Sequence, residues 1–220
     1  MITIPIEVFL SHADEDKITA RRIADALEKY QVKTFVAHDD IDAGDDWETT
    51  LINKIRECDL FIALLSENFH NANYTDHEVG IARGLNRPII PIRIDNTSPY
   101  GFMSKFQAKK MSADVIGEEE IADLVHSMST VTEKGRNIID NLIREFANAG
   151  SYDKANEISI TLFTYTKFSK EQINAIVAAY VNNGQIRGGW SSDPRCITLF
   201  KDNWKKIDEP KKAMLRSLWE

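Results

Sequence analysis

The sequence has 220 residues, of which 43% are hydrophobic and 28% charged, and its formal net charge is −7 at pH 7. This composition is typical of a globular protein, and no stretch is apolar for long enough to cross a membrane or to act as a signal peptide. Cys58 and Cys196 stand far apart without a CxxC pair or a histidine-rich partner, which argues against a zinc site and favours the reducing cytoplasm.

Short apolar runs alternate with helical patterns in the first part of the chain. Strands are predicted at residues 4–10, 32–37, 60–65, 89–94 and 106–111, and helices at residues 16–30, 46–57, 71–82 and 118–128. Strands that alternate with helices of this length form a doubly wound parallel sheet, so we expect a flavodoxin-like five-stranded α/β domain. Pro91 would fit poorly in the middle of a sheet, which places the fourth strand near an edge.

The third predicted strand, Leu60–Leu65, is an uncharged apolar run that fits a buried strand of a parallel sheet. Ser66 follows it, and a helix containing Tyr74 and Glu78 begins soon after. These two residues are four apart and therefore share one helix face. Because open α/β sheets bind ligands outside the carboxyl ends of their strands, Glu78 is the predicted functional residue.

After residue 131 the alternation of strands and helices stops. Apolar residues at helical spacing predict helices at residues 133–149, 151–165 and 169–182, a loop at 188–194, and a last amphipathic segment at 196–204 before a lysine-rich tail. Residues 1–132 carry 13 basic and 23 acidic side chains, whereas residues 133–220 carry 14 and 11, so the sign of the charge also changes. We therefore predict two domains, residues 1–131 and 132–220, the second a small helical module.

The helical module has three candidate uses: oligomerisation, sensing of a trigger, and docking to an effector protein. Trp190, beside two glycines, either anchors an interface or covers the module's own core. The small positive charge of this module is the only support for DNA binding, and the acidic first module disfavours contact with nucleic acid.

Five segments of the first module resemble, in order, those of a Toll/interleukin-1 receptor (TIR) domain. They are residues 8–14, residues 39–48 with Gly44 and Trp47, residues 58–66, residues 74–78, and residues 87–95. The resemblance extends over residues 1–131 and implies the same doubly wound parallel fold. One position departs from the pattern, because Tyr74 stands where enzymatic members usually have tryptophan.

The resemblance implies a hydrolase that cleaves the bond between nicotinamide and ribose in NAD+, with NAD+ as substrate and neither metal nor cofactor. Glu78 is the implied catalytic residue, which holds the ribose and stabilises the cationic transition state. Nicotinamide leaves as an activated pyridinium and needs no general acid, whereas glycosidases need two carboxylates. The product is ADP-ribose, cyclic ADP-ribose or a related signal nucleotide. In bacterial anti-phage immunity of the Thoeris type, such a product reaches a partner effector protein.

The substrate-binding residues that the resemblance implies surround the same edge of the sheet. They are Phe9, Ser11, Asp40, Gly44, Trp47, Ser66 and Tyr74. Ser11 and Ser66 fit capping of the next helix equally well, and Trp47 either stacks on the nucleotide or anchors its own helix. In the family, the loop around Gly44 also contacts the next subunit. This implies a homo-oligomer on activation, in which Gly44→Pro abolishes cleavage without unfolding the protein.

Other chemistries find less support in the sequence. His12 and His77 flank the predicted site without a nucleophile, which favours a polar surround over a catalytic pair. The acidic residues 39–46 lack the spacing of a calcium-binding loop, and no glycine-rich phosphate loop occurs. The alternative function, from a different class, is a non-catalytic TIR scaffold or adaptor that signals by self-association.

Overall fold

Five parallel strands form one sheet: β1 (Ile6–Ser11), β2 (Val32–Val36), β3 (Leu60–Leu65), β4 (Ile89–Arg93) and β5 (Lys109–Lys110). Their spatial order is β2-β1-β3-β4-β5, that of a flavodoxin-like doubly wound sheet, so the predicted fold class is confirmed. The computed structural model describes residues 5–37, 47–165 and 167–219. The chain divides into two compact units, residues 1–136 and 137–220.

The helices of the N-terminal unit flank this sheet. They are α1 (Lys17–Glu28), α2 (Trp47–Glu57), α3 (Glu67–Asn71), α4 (Thr75–Gly84) and α5 (Glu118–Val131). Right-handed crossovers distribute the helices over both faces of the sheet. Helices α2 and α4 contact each other, and so do α1 and α5. The short helix α3 falls inside a segment that the sequence pattern leaves without an element of its own.

Strand β3 lies at the centre of the sheet, and all six of its residues are buried. Side chains alternate between the two faces of a strand, so Phe61, Ala63 and Leu65 pack with α2 and α4. On the same face, the ring of Phe9 stacks on the ring of Phe61 with centroids 5.3 Å apart. Fully burying each large apolar side chain of this kind contributes about 1.5–3 kcal/mol to folding. The central strand is therefore a fixed platform for the groups at its carboxyl end.

Pro91 lies in β4, which has β3 on one side and the two-residue strand β5 on the other. The amide of Ile94 donates to Leu65 of β3, whereas the carbonyl of Arg93 accepts from Met111 on the side of β5. Alternate residues of a parallel strand bond to opposite neighbours, so the nitrogen of Pro91 faces the side of β5. Strand β5 pairs only with Ile92 and Arg93. The missing N–H of Pro91 therefore interrupts no ladder, which is the edge-like setting the sequence predicts.

The C-terminal unit is helical, as predicted. Its helices are α6 (Ile138–Ala147), α7 (Tyr152–Leu162), α8 (Lys170–Asn182), α9 (Gly184–Arg187), α10 (Ser192–Asp202) and α11 (Glu209–Trp219). The apolar stripe predicted for α6 is buried: Ile138, Ile139, Leu142, Ile143 and Phe146. Among the described residues, no helix is both long and apolar enough to span a bilayer.

The structure adds to the sequence analysis of the C-terminal unit at three points. The lysine-rich tail forms α11, where only Leu215 is buried, so the apolar pattern of that helix is too sparse to read from sequence. The last amphipathic helix starts at Ser192 rather than at Cys196, because Pro194 fits a first helical turn, where its missing N–H bonds to nothing. Trp190 is 76% exposed and so does not cover the module's core, which leaves its role as an interface anchor as a prediction.

Candidate functional site

The order of the strands creates a crevice at the carboxyl ends of β1 and β3. The chain leaves these neighbouring strands in opposite directions across the sheet, which makes them the switch point where such folds bind ligands. Ser11 is the last residue of β1, and Ser66 directly follows β3. Both serines are buried. The structure thus places two residues that are distant in sequence at the carboxyl ends of neighbouring strands.

Glu78 lies at this crevice, in the first turn of α4. Its side chain is only 1% exposed, and its Oε2 accepts a hydrogen bond from the hydroxyl of Ser11. The partial positive charge at the start of a helix favours a carboxylate in that turn. Phe9 and Ser11 are two apart on β1 and face the same side of the sheet as α4, which is why the serine reaches Glu78.

The pKa of the Glu78 carboxyl is raised from its ordinary value to about 7. Burial is the cause, because removal from water disfavours the charged form, and the hydrogen bond from Ser11 opposes it. Strongly perturbed carboxyl groups in a cleft are typical of functional sites, although structural networks perturb them as well. The protonation of Glu78 therefore changes near neutral pH.

A cavity of about 330 Å³ lies against Glu78. This volume is typical of small-molecule sites. It is lined by Trp47, Glu48, Leu51, Ile52, Tyr74, His77, Glu78 and Ile81. The rings of Trp47 and Tyr74 meet edge to face with centroids 4.7 Å apart. This arrangement forms an aromatic wall on which a planar ligand can pack beside a buried carboxyl group.

Ser66 caps a helix and bonds to a buried carboxylate. Its hydroxyl donates to Oδ2 of Asp16 and accepts from the backbone N–H of Phe69 at 3.0 Å, which caps α3. Asp16 is itself nearly buried and also lies 3.4 Å from the side-chain amide of Asn68. The capping prediction for Ser66 is confirmed, and the bond to Asp16 joins the loop after β1 to the loop after β3.

The two histidines occupy different environments. His12 is 1% exposed, and its Nδ1 lies 2.6 Å from the carbonyl oxygen of Ala13. Because a carbonyl only accepts, Nδ1 of His12 carries a proton. His77 is exposed at the cavity, with its ring 6.3 Å from that of Tyr74. A buried histidine beside the site and an exposed one at its rim agree with the polar surround that the sequence favours.

Several residues that sequence reasoning missed hold the turn before α4. The hydroxyl of Thr75 donates to the carbonyl of Phe69 at 2.7 Å, and the hydroxyl of Tyr100 donates to Asp76 Oδ1 at 2.8 Å. The His70 ring packs edge on against Tyr100 at 4.5 Å. The bond between Tyr100 and Asp76 joins segments that are 24 residues apart, so no local sequence signal announces it. Together these contacts fix the start of the helix on which Glu78 lies.

The remaining predicted site residues differ in how the structure places them. Phe9 has no exposed surface and packs between Phe35 and Phe61, so it forms the floor below Ser11, and its substrate contact stays a prediction. Asp40 and Gly44 lie outside the described residues. Trp47 and Tyr74, in contrast, both line the cavity next to Glu78.

Potential metal ligands and thiols occur among the described residues. Within residues 5–37, 47–165 and 167–219, no group of three or more His, Cys, Asp or Glu side chains is arranged to hold a metal ion. Burial raises the pKa of Cys58 to about 11 and that of Cys196 well above its ordinary value, which keeps both thiols protonated and unreactive at neutral pH. The predicted burial of Cys58 is confirmed.

The chain was compared with protein families, curated proteins and solved structures. A family model described as "TIR domain" matches residues 8–126. No curated protein matches. Among solved structures, the TIR domain of a Toll-related receptor from Hydra magnipapillata is 25% identical, covers 47% of this chain and 82% of that chain, and superposes with a TM-score of 0.43. A 2-desoxiribosyltransferase from Leishmania mexicana is 17% identical, with 51% and 79% of the two chains covered and a TM-score of 0.36.

Proposed function

Because this chain belongs to the TIR domain family, whose members include NAD+-cleaving enzymes and scaffolds, we propose that it cleaves the nicotinamide–ribose bond of NAD+. The observation that supports the proposal is the position of Glu78. Its carboxyl group is buried at the switch point of the sheet, bonded to Ser11, and faces a cavity with an aromatic wall. A scaffold that only self-associates has no need of a buried acid at this point.

The proposed role of Glu78 is electrostatic. When the bond between C1′ and the nicotinamide nitrogen breaks, its electron pair stays with nitrogen, nicotinamide leaves as a neutral molecule, and positive charge develops on the ribose. A carboxylate in a site shielded from water stabilises such a charge far more strongly than one in bulk water. The deprotonated form of Glu78 is therefore the active form.

The aromatic wall supplies the other half of the site. Trp47 and Tyr74 offer ring faces for stacking on nicotinamide, a planar and positively charged ring. Glu48, exposed at the rim of the cavity, adds negative charge that attracts the same ring. Tyr74 stands where tryptophan is usual in enzymatic members. Because tyrosine also carries an aromatic ring, the aromatic wall is present in this chain.

The second half of the reaction follows from the first. Water attacks C1′ and loses a proton, which gives ADP-ribose, while attack by a group within the same molecule or by another nucleophile gives a cyclic or conjugated signal nucleotide. We propose that such a product serves bacterial anti-phage immunity in the cytoplasm, through an effector protein that responds to it. Assembly into a homo-oligomer, with the segment around Gly44 contacting the next subunit, is part of the same proposal.

The proposal is tested by nicotinamide release from NAD+, measured with purified protein at high concentration or with a crowding agent. We expect release by the wild type, and a loss on the order of 10²–10³ or more in the Glu78→Ala variant. The matched control is Glu57→Gln, which removes an exposed carboxylate of α2 outside the cavity. Mass spectrometry of the nucleotide product identifies it as linear, cyclic or conjugated.

The alternative makes the opposite prediction. A non-catalytic scaffold releases no nicotinamide even when assembled, and Glu78→Ala then behaves like the wild type. Equal release by both proteins would also reject the catalytic role of Glu78.

A further inference from the structure

The C-terminal unit contains a groove of about 610 Å³, which we call the aromatic groove. It is lined by Phe163, Tyr165, Phe168, Pro194, Arg195, Thr198, Leu199, Asp202 and Asn203. Its volume lies in the range of sites that bind cofactors and other small molecules. All of these residues belong to residues 137–220, so the groove is separate from the cavity at Glu78.

One wall of the aromatic groove consists of three aromatic side chains. The ring of Phe163 stands edge to face between those of Phe146, at 6.0 Å, and Phe168, at 6.2 Å. Tyr165 and Phe168 are each 6% exposed. Rings fixed by such contacts form a preorganised apolar surface, and a planar ligand can pack on it without ordering loose side chains first.

Another part of the lining is the side of α10 that carries Arg195. The Nε of Arg195 donates to the hydroxyl of Ser191 at 3.0 Å, which fixes the guanidinium on the turn before it. In the described part of the C-terminal unit, no carboxylate forms an ion pair with Arg195. The two Nη groups are thus available to an anion, and a guanidinium binds a phosphate or carboxylate through two parallel hydrogen bonds.

Hydrogen-bond acceptors lie at the other end of the same helix. The Asn203 amide nitrogen donates to the carbonyl of Leu199 at 3.1 Å, which leaves its Oδ1 as an acceptor, and Asp202 is exposed beside it. Arg195 and Asp202 are seven residues apart, or about 10 Å along the axis of a helix. The groove is therefore lined by a guanidinium that can donate to an anion, by aromatic side chains, and by acceptors for N–H groups.

We propose that the aromatic groove binds a nucleotide with an amino-substituted base, such as an adenine nucleotide. The phosphate binds Arg195, the base packs against Phe163, Tyr165 and Phe168, and the exocyclic amine donates to Asp202 or Asn203. Each part of this ligand matches one part of the groove in chemical type. Binding at this groove depends on neither Glu78 nor NAD+ cleavage, and it makes the helical module a nucleotide sensor.

The test is calorimetric titration of the full chain with AMP. We expect saturable binding, and a loss of affinity of roughly tenfold or more in Arg195→Gln, since a hydrogen bond to a charged group contributes about 1.5–3 kcal/mol. Lys201→Gln is the matched control, because it removes an exposed cation of α10 that does not line the groove. Because AMP is also part of NAD+, the loss of affinity in Arg195→Gln, and not binding alone, assigns AMP to the aromatic groove.

Ligand analogues give a test that does not depend on a folded variant. Adenosine lacks the anion and purine riboside monophosphate lacks the amine, and we expect both to bind more weakly than AMP, whereas inorganic phosphate binds weakest. The proposal is overturned if AMP does not bind the wild type at millimolar concentration, if Arg195→Gln binds AMP with unchanged affinity, or if adenosine binds as well as AMP. A failure of NAD+ cleavage leaves each of these outcomes unaffected.

Discussion

The hydroxyl of Ser11 donates a hydrogen bond to Oε2 of Glu78, across 67 residues of sequence. The bond joins the end of β1 to the first turn of α4, and both side chains are buried. It also acts on the chemistry of the site, because it stabilises the charged carboxylate that burial destabilises. Ser11 thus contributes to the proposed reaction by adjusting Glu78, whether or not it contacts the substrate.

The first prediction concerns the pH dependence of nicotinamide release. In the wild type, release rises as pH increases through about 7, because Glu78 must lose its proton to act. Ser11→Ala removes the hydrogen bond that lowers the pKa of Glu78, so the rise moves to higher pH. Rate profiles from pH 5.5 to 9 measure the shift.

Ser104→Ala is the control for this experiment, since it removes an exposed hydroxyl that does not line the cavity at Glu78. Its profile should overlay that of the wild type. A Ser11→Ala profile with an unchanged midpoint would contradict the coupling between the two residues.

The second prediction concerns stability. The pKa of Glu78 is higher in the folded chain than the ordinary value of 4.5, so between these values the folded state holds a proton that the unfolded state releases. The resulting stability is present below about pH 4.5 and is lost as pH rises through 7. Glu78→Gln, which stays neutral, should therefore be more stable than the wild type at pH 8, by an amount on the order of 3 kcal/mol.

Denaturant titrations at pH 8 and pH 4.5 measure this difference. At pH 4.5 the two proteins should be nearly equal in stability, because Glu78 is then neutral in the folded wild type as well. If Glu78→Gln were less stable than the wild type at pH 8, the contacts that stabilise the carboxylate would outweigh the cost of burying its charge, which contradicts this prediction.

The third prediction concerns the aromatic wall. Tyr74→Ala removes one of the two rings of the aromatic wall, the one that meets Trp47 at 4.7 Å. We expect a several-fold rise in KM for NAD+, because a contact between the Tyr74 ring and the nicotinamide ring is worth about 0.5–1.5 kcal/mol. Tyr74→Phe keeps the ring and should stay close to the wild type, and steady-state kinetics distinguish the two. If both variants kept the wild-type KM, Tyr74 would have no part in binding.

The fourth prediction concerns the buried polar contacts of the C-terminal unit. Oδ1 of Asn156 accepts from the backbone N–H groups of Ser191 at 2.9 Å and of Ser192 at 3.2 Å. Asn156→Ala leaves both donors buried without this acceptor, which should lower the free energy of unfolding by about 1–3 kcal/mol. Thermal unfolding of both variants measures the difference. Glu157→Ala, which changes the neighbouring exposed residue, should have almost no effect on the free energy of unfolding.

The sequence predicts the parts of this molecule that local pattern determines. The uncharged run of β3 and its flanking helices are visible within their own segments and indicate the sheet edge where Glu78 lies. The apolar stripe of α6 is likewise visible within one segment. The bond between Ser66 and Asp16 joins loops that are 50 residues apart, and no periodicity announces it. Helix α11 escaped prediction because it buries so little of its surface.

The packing of Phe9 is not predictable from its own segment. Its ring lies between Phe35 and Phe61, and only the assembled sheet reveals that, while its contact with substrate stays a prediction. The raised pKa of Glu78 likewise depends on burial by several elements, which the sequence of α4 alone does not encode.

The measurement that tests the central claim most directly is the rate of nicotinamide release by Glu78→Gln at pH 8, compared with the wild type. Glutamine keeps the shape of the side chain and can still accept a hydrogen bond from Ser11, but it has no negative charge. We predict a loss of rate on the order of 10²–10³ or more in a variant that remains folded. A folded Glu78→Gln variant that releases nicotinamide at the wild-type rate would contradict the catalytic role of this carboxylate.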